Sequence, residues 1–469
     1  MLKKRELAKN ISMAFMAQGF AMVVSVAQTL IVPKILGVEQ FAYWQLFIFY
    51  IGYVGFFHLG LCSGVYLKMG GKTRREFDKA SAKSQFLIGL IYQSVMAAII
   101  IALGLLFEDG PRSFVFIQTA IYLILANACT YLMNIMQCMN EIRESSISLT
   151  LGKVSYFLPL ILMILSGVRS FEPYVIAYTG SMIVQIIYCF WKLRDFIAAP
   201  WLGFGAAVKE SYSSIRVGIN LMVANIASTL ILGIARFIID DIWGIEAFGK
   251  LSLMFSIVSF SLLFVNQASI ALFPALRKCD ESESASFYIN IRAFLGLALP
   301  LVYILYYPVK SLFSLWLPEY SDALPYLALL LPICVFDSVM SITGNTYLQV
   351  FRKEKMLRNI NIAASLVSIV LCVIGGYFCQ SITAVLLGPT LAIASRSIFT
   401  EFILSRKMHT SQNKYVLWMA LLTILFIVFE VWLEDSLALV ATSVSYLIYL
   451  AIHAGHLRRV LGSMNRVAD

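Results

Sequence analysis

Charge is scarce in this chain. Only 13% of its 469 residues are Asp, Glu, Lys or Arg, against 60% hydrophobic, and that balance excludes an ordinary soluble protein of this length. Histidine is rarer still: 4 residues, too few and too dispersed for a metal site. The 8 cysteines stand singly, nearly all in apolar runs and without a C-x-x-C pair. They read as small core hydrophobes, neither disulfides nor ligands. No basic run is interleaved with aromatics, so the net charge of +10 does not point to nucleic acid. Nucleotide chemistry is missing too. Gly70-Gly71-Lys72-Thr73 has the end of a phosphate-binding G-x-x-x-x-G-K-T loop, but Tyr66 stands where its first glycine belongs and an apolar run precedes it, not a strand. No cofactor, metal or nucleotide is called for, and no loop is long enough for a soluble domain.

What is present is apolar, and it comes in runs. A bilayer core about 30 Å thick needs roughly 20 residues of helix. By that measure the chain is an all-α integral membrane protein of about fourteen spans, twelve at the fewest. They fall near 10–33, 42–67, 84–107, 114–139, 147–167, 173–191, 215–239, 247–273, 288–315, 324–350, 359–379, 383–404, 415–433 and 437–457. Basic residues collect before the first span (Lys3, Lys4, Arg5, Lys9), after the second (Lys68, Lys72, Arg74, Arg75) and near Arg352, Arg406 and Arg458. Acids mark the alternate loops, at Glu108, Asp109, Asp240, Asp241, Glu319, Glu434 and Asp435. The positive-inside rule then puts both termini of this multi-pass membrane protein in the cytoplasm. The first apolar run is too long for a signal peptide and reads as an uncleaved helix.

The chain repeats itself. Ile35-Leu-Gly-Val-Glu-Gln-Phe-Ala-Tyr-Trp-Gln-Leu is echoed 207 positions later by Ile242-Trp-Gly-Ile-Glu-Ala-Phe-Gly-Lys-Leu-Ser-Leu. The longest interruption, 192–214, contains Trp191, Phe196, Trp201 and Phe204 at or beside it, among charges, and reads as a cytoplasmic interfacial linker. The expected organisation is a six-helix lobe over 1–191, that linker, a second six-helix lobe over 215–404, and a hairpin with a tail over 405–469. Six spans per lobe is an even number, so the repeats have the same orientation and surround a central cavity.

Polar residues at membrane depth are costly, and these are the candidate sites. Gln18, Ser25 and Thr29 share one face of the first span. In the seventh, Asn225 and Arg236 have the same eleven-residue spacing, with Ser228 and Thr229 beside their line. The repeat offset lays Gln18 on Asn225 and Thr29 on Arg236, so two matched polar faces are expected to line the cavity. Arg236, central, would cost roughly 2.5–3.5 kcal/mol unless it served an anion or snorkelled. Asp337, mid-span, is the candidate for ion coupling. Arg396 and Glu401 are read as structural pairing partners. Asn127, Asn134, Ser341 and Asn345 read as interhelical hydrogen bonders, Gly60 and Gly64 as a close-packing G-x-x-x-G, and His58 as a packing residue.

The turn Pro33-Lys-Ile-Leu-Gly-Val-Glu-Gln-Phe-Ala-Tyr-Trp, followed by His58-Leu-Gly-Leu-Cys-Ser-Gly-Val, resembles the start of polysaccharide exporters of the O-antigen flippase type. Gly37, Glu39, Phe41, Gly60 and Leu61 match that family's pattern, Ala42 replaces its usual glycine, and Gly244, Glu246, Phe248 and Gly249 match the start of its second lobe. The family belongs to the multidrug/oligosaccharidyl-lipid/polysaccharide superfamily. The resemblance implies a non-enzymatic flippase that moves an undecaprenyl-pyrophosphate-linked oligosaccharide between leaflets by alternating access. Its partners would be that substrate, membrane lipids, a polysaccharide polymerase and a chain-length regulator. The alternatives are a cation-coupled multidrug antiporter of the same superfamily and, further off, a membrane polymerase or a scaffold.

Overall fold

The computed structural model describes residue 19 and residues 24–276, 281–408 and 413–453. Among these the chain is helical throughout. The elements are α1 (24–30), α2 (Val32–Ile51), α3 (Leu61–Met69), α4 (Lys79–Phe107), α5 (Gly110–Cys138), α6 (Ile142–Leu165), α7 (Glu172–Lys192) and the short α8 (Arg194–Ile197). Then come α9 (Phe204–Leu276), α10 (Glu281–Ala298), α11 (Leu301–Trp316), α12 (Leu324–Val339), α13 (Thr346–Val350), α14 (Glu354–Val373), α15 (Ile382–Lys407), α16 (Asn413–Trp432) and α17 (Asp435–Ile452).

Among the described residues eleven helices are long and apolar enough to cross a membrane, or twelve when the bent pair Val32–His58 and Leu61–Met69 counts as one span. The difference from the expected fourteen has two sources. The first expected span lies mostly outside the described residues. The seventh and eighth are the two arms of α9, which turns at Gly244. The large side chains left outside suit lipid: Leu105, Leu106, Phe107, Leu158, Leu162 and Leu165 are all exposed.

The chain divides into two compact units, Met1–Ile226 and Ala227–Asp469, and α9 runs through the division. In the first unit, α2 gives way to a 3₁₀ segment, Val54–His58, before α3. Backbone carbonyls freed at such a break need partners where water is absent. Asn127 of α5 donates to the Val54 carbonyl at 2.9 Å and Asn134 to that of Cys62 at 3.3 Å. His58 accepts the Gly60 N–H through Nδ1 at 2.9 Å. The G-x-x-x-G that follows lies against the first arm of α9. A Cβ on Gly64 would sit 1.9 Å from the Ser214 carbonyl oxygen, and one on Gly218 2.1 Å from that of Gly60.

Beyond α3 an ionic knot ties the connecting segments together. Arg74 donates twice to Asp195, at 2.6 and 3.0 Å, twice to Glu141, at 2.8 and 3.1 Å, and to the Lys192 carbonyl at 2.6 Å. Lys79 adds a contact to Asp195 at 2.7 Å. The Arg74 hydrogen bonds, aided by Lys79, hold the Asp195 carboxyl well below the usual carboxylate range. Of the aromatics expected at the interface, Trp191, Trp201 and Phe204 are exposed, whereas Phe196 is 2% exposed and packs its ring on Phe86.

In the second unit the hairpin α16–α17 is fastened to α10 and α11 by hydroxyls. Tyr303 pairs with Thr423 at 2.7 Å, Tyr307 with Thr442 at 3.2 Å, and Tyr446 and Tyr449 donate to the Leu297 and Gly296 carbonyls at 2.8 Å each. Lys310 bridges Glu430 and Asp435. Two π-helical segments, Met340–Asn345 and Ile374–Phe378, interrupt this unit's helices.

Candidate functional site

Gln18 lies outside the described residues. Ser25 and Thr29 are half-buried on α1, and the same helix face carries Gln28, which donates to the Tyr156 hydroxyl of α6 at 3.1 Å. Tyr156 is 1% exposed and belongs to an aromatic cluster. Its ring stands 4.9 Å from that of Tyr178 and lies parallel to Trp44 at 6.4 Å, while Tyr178 also meets Trp44, Phe47 and Tyr122. Gln28 therefore turns this part of α1 toward α6 of its own unit.

One residue there went unread in the sequence. Lys153 sits on α6 roughly 16 Å along the helix from its start, near the middle of an apolar span. It is half-buried, and its Nζ lies 6.0 Å from the centre of the Tyr178 ring. The lipid-facing side of α6 is Leu158, Leu162 and Leu165; helical spacing puts Lys153 on the opposite side with Tyr156. A lysine at the bilayer centre costs roughly 2.5–3.5 kcal/mol on insertion scales. The signal was a lone lysine within 147–167, and a count of cations inside each span would have found it.

The expected polar face of the seventh span is divided: Asn225 belongs to the first unit, one residue before its end at Ile226, and Thr229 and Arg236 belong to the second. Asn225 and Thr229 are exposed and Arg236 is half-buried. Arg236 reaches back across the Gly244 turn. Its Nε donates to the Ser252 hydroxyl at 3.3 Å, a terminal nitrogen to the Ser252 carbonyl at 3.4 Å, and the guanidinium lies over Phe248 and Phe255 at 5.8 and 5.4 Å. It thus clasps the two arms of α9 together.

Asp337 of α12 forms an ion pair with Arg396 of α15. Arg396 also donates to Asn361 of α14 at 3.3 Å and to Ser228 of α9 at 3.4 Å, so four helices meet at one guanidinium. The Arg396 side chain is 5% exposed and that of Asp337 23%, which leaves the acid as the accessible member. Arg396 Nε is buried without a partner among the described residues. Glu401, five residues further along α15, takes a different arginine, Arg292 of α10, at 2.5 Å. Tyr288 donates to the same carboxylate at 2.8 Å, and Thr343 of the first π-helical segment contacts it as well. Arg292 and Glu401 are 1% and 2% exposed. The structural pairing read for Arg396 and Glu401 is present, but each has its own partner and they do not pair with each other. Arg292, like Lys153, was not singled out from sequence.

Among the described residues no group of His, Cys, Asp and Glu is placed to hold a metal ion. What the second unit holds instead is a set of intramembrane acids already matched to guanidinium groups. Such pairs anchor helices to one another, and removing one partner leaves an uncompensated buried charge.

No protein-family profile matches the chain, and no curated protein matches it. Solved structures do. The inward-facing conformation of a multidrug resistance MATE family transporter of the MOP superfamily superimposes with a TM-score of 0.63, at 13% identity over 83% of this chain and 96% of that one. The lipid II flippase MurJ, in an inward closed conformation, gives a TM-score of 0.63 at 14% identity over 95% and 99%. A MATE structure in complex with MaL6 gives 0.54 at 13% over 86% and 95%. At these identities the likeness is one of fold: the chain has the fold of MATE-type and lipid-flippase-type membrane transporters.

Proposed function

We propose that this protein is a flippase for an undecaprenyl-pyrophosphate-linked oligosaccharide, an O-antigen or similar surface-glycan unit, carried from the cytoplasmic to the outer leaflet of the inner membrane. The fold is shared with transporters of two kinds, multidrug and lipid-linked, so it does not choose between them. The observation that favours the lipid-linked substrate is the pairing of charge. Asp337 and Glu401 are each held by an arginine, whereas a site for organic cations needs an acid left for its ligand. Together with Lys153 and Arg236, the cations at membrane depth outnumber the acids in this set, which suits an anionic head group.

In this reading Gln18, Ser25, Thr29, Asn225, Thr229 and Arg236 supply polar contacts for the saccharide-pyrophosphate head. The polyprenyl tail stays in lipid. Asp337 is the coupling acid: a proton on its accessible carboxylate would release Arg396 and loosen the junction of four helices. The test is deletion of the gene followed by separation of lipid-linked saccharides. Repeat units accumulating on the cytoplasmic leaflet, with surface glycan lost, support the flippase. Unchanged surface glycan with heightened sensitivity to cationic drugs would replace it with the antiporter.

A further inference from the structure

The outer side of α4 carries a groove that the transport reading leaves unused. It is an open cavity of about 800 Å³, lined by Leu87, Leu90, Ile91, Ser94 and Ala98 of α4 and by Trp201 of the segment after α8. The α4 positions recur at steps of three and four, so they lie on one side of the helix. Ile91 is 55% exposed, which makes this a side that meets lipid. From Leu87 to Ala98 the helix rises about 16 Å, roughly half of a bilayer core about 30 Å thick. The groove is one leaflet deep.

One turn before Leu87, the same side of the helix carries Lys83. Its ammonium donates to the Ile197 and Ala199 carbonyls at 2.7 Å each. The Leu202 N–H donates to the Ser84 hydroxyl at 3.0 Å. These bonds staple the segment around Trp201 to the start of α4. An ammonium has three N–H donors; the two carbonyls take two of them and bring no negative charge. A cation thus stands at one end of an apolar groove, with an indole beside it.

We propose that this groove binds an acyl chain of an anionic phospholipid from the leaflet on the Lys83 side, with the lipid phosphate at Lys83. The lipid is a resident of the membrane and not the cargo, so the proposal stands whichever substrate the protein carries. Depth argues for a phospholipid chain: it ends near mid-membrane, as the groove does, whereas a partner's membrane helix would continue through the other leaflet. Charge argues for an anionic head, since a phosphate oxygen accepts the third N–H and neutralises the ammonium. By the positive-inside rule the Lys83 end is cytoplasmic, where anionic lipids give the membrane surface its negative potential. Ser94 and Ala98 have short side chains and leave room for the chain. Trp201, with an apolar ring and a polar N–H, suits the headgroup level.

The full-length protein in detergent is titrated with phosphatidylglycerol brominated on its acyl chains, and with brominated phosphatidylcholine for comparison. Quenching of tryptophan fluorescence that Trp201→Phe removes reports the groove. Phosphatidylglycerol should quench at lower concentration than phosphatidylcholine, by a margin that shrinks as salt rises. Lys83→Gln should weaken phosphatidylglycerol about fivefold, and Lys83→Arg should keep most of the affinity. Should Lys83→Gln fail to fold, Ala98→Phe decides: it fills the groove from an exposed position, leaves the staple intact and should abolish Trp201 quenching by both lipids. Equal affinities for the two lipids, an unchanged affinity in Lys83→Gln, or undiminished quenching in Ala98→Phe overturns the proposal. So does displacement of the brominated lipid by farnesyl phosphate at concentrations below those at which unlabelled phosphatidylglycerol competes, which would make the groove a prenyl-chain site.

Discussion

At the scale of single residues, the echoed glycines do the same thing twice. Gly37 has φ 72° and ψ 176°, and Gly244 has φ 78° and ψ −176°. This region is open essentially to glycine alone, so the repeated letter is a repeated backbone turn between arms of helix. A methyl group at either position would meet nothing within 4 Å, so the cost of alanine there is strain and not collision. Gly37→Ala and Gly244→Ala should each lose about 1–3 kcal/mol, seen as a lower melting temperature of the detergent-purified protein. Gly180→Ala, at a helical position of α7 with equally open surroundings, should be neutral or slightly stabilising. Equal losses at all three would remove the special role of the turns.

At the scale of elements, charges fasten helices in two environments with different consequences. The Arg292–Glu401 pair is buried and bridges α10 to α15. Glu401→Leu alone should cost about 3–5 kcal/mol because Arg292 is stranded, while the double change Arg292→Met with Glu401→Leu should recover most of it. Thermal unfolding of the three variants reads this directly; a double variant no better than the single would rule out a stranded charge as the cause. The knot around Arg74 is wetter, with side chains of Arg74 and Asp195 each 37% exposed, so its contribution is about 0–1 kcal/mol. Since Asp195 titrates below its ordinary value in the folded protein, its stabilisation is fully present above the ordinary carboxylate range near pH 4. It is lost as pH falls below that range. The melting-temperature gap between wild type and Arg74→Gln should therefore be constant from about pH 5 to 7 and close below about pH 4. A gap that widens on acidification would contradict this.

At the scale of the whole molecule, Arg236 separates two roles. As a clasp across the Gly244 turn it contributes to stability; under the proposed function it would also contact the anionic head during transport. Arg236→Ala should lower export of lipid-linked glycan at normal expression by more than its fall in melting temperature explains. Undiminished export would leave only the clasp.

The sequence by itself determined the membrane class, the helical content and the repeated glycine turn. Each of these follows from local physics: apolar length against bilayer thickness, and a backbone conformation that only glycine adopts. It also showed that Asn127, Asn134, Arg396 and Glu401 need partners, because unpaired polar groups at membrane depth are too costly to leave. Which partner each takes was decided by tertiary structure. Asp337 with Arg396 and Glu401 with Arg292 span 59 and 109 residues of chain, and no spacing rule within one helix foretells such matches. Phe196 went inward and Arg236 folded back onto Ser252 for the same reason. A side chain's surroundings are set by the helices that happen to pack against it, and only the packed chain shows Lys153 beside the Tyr178 ring.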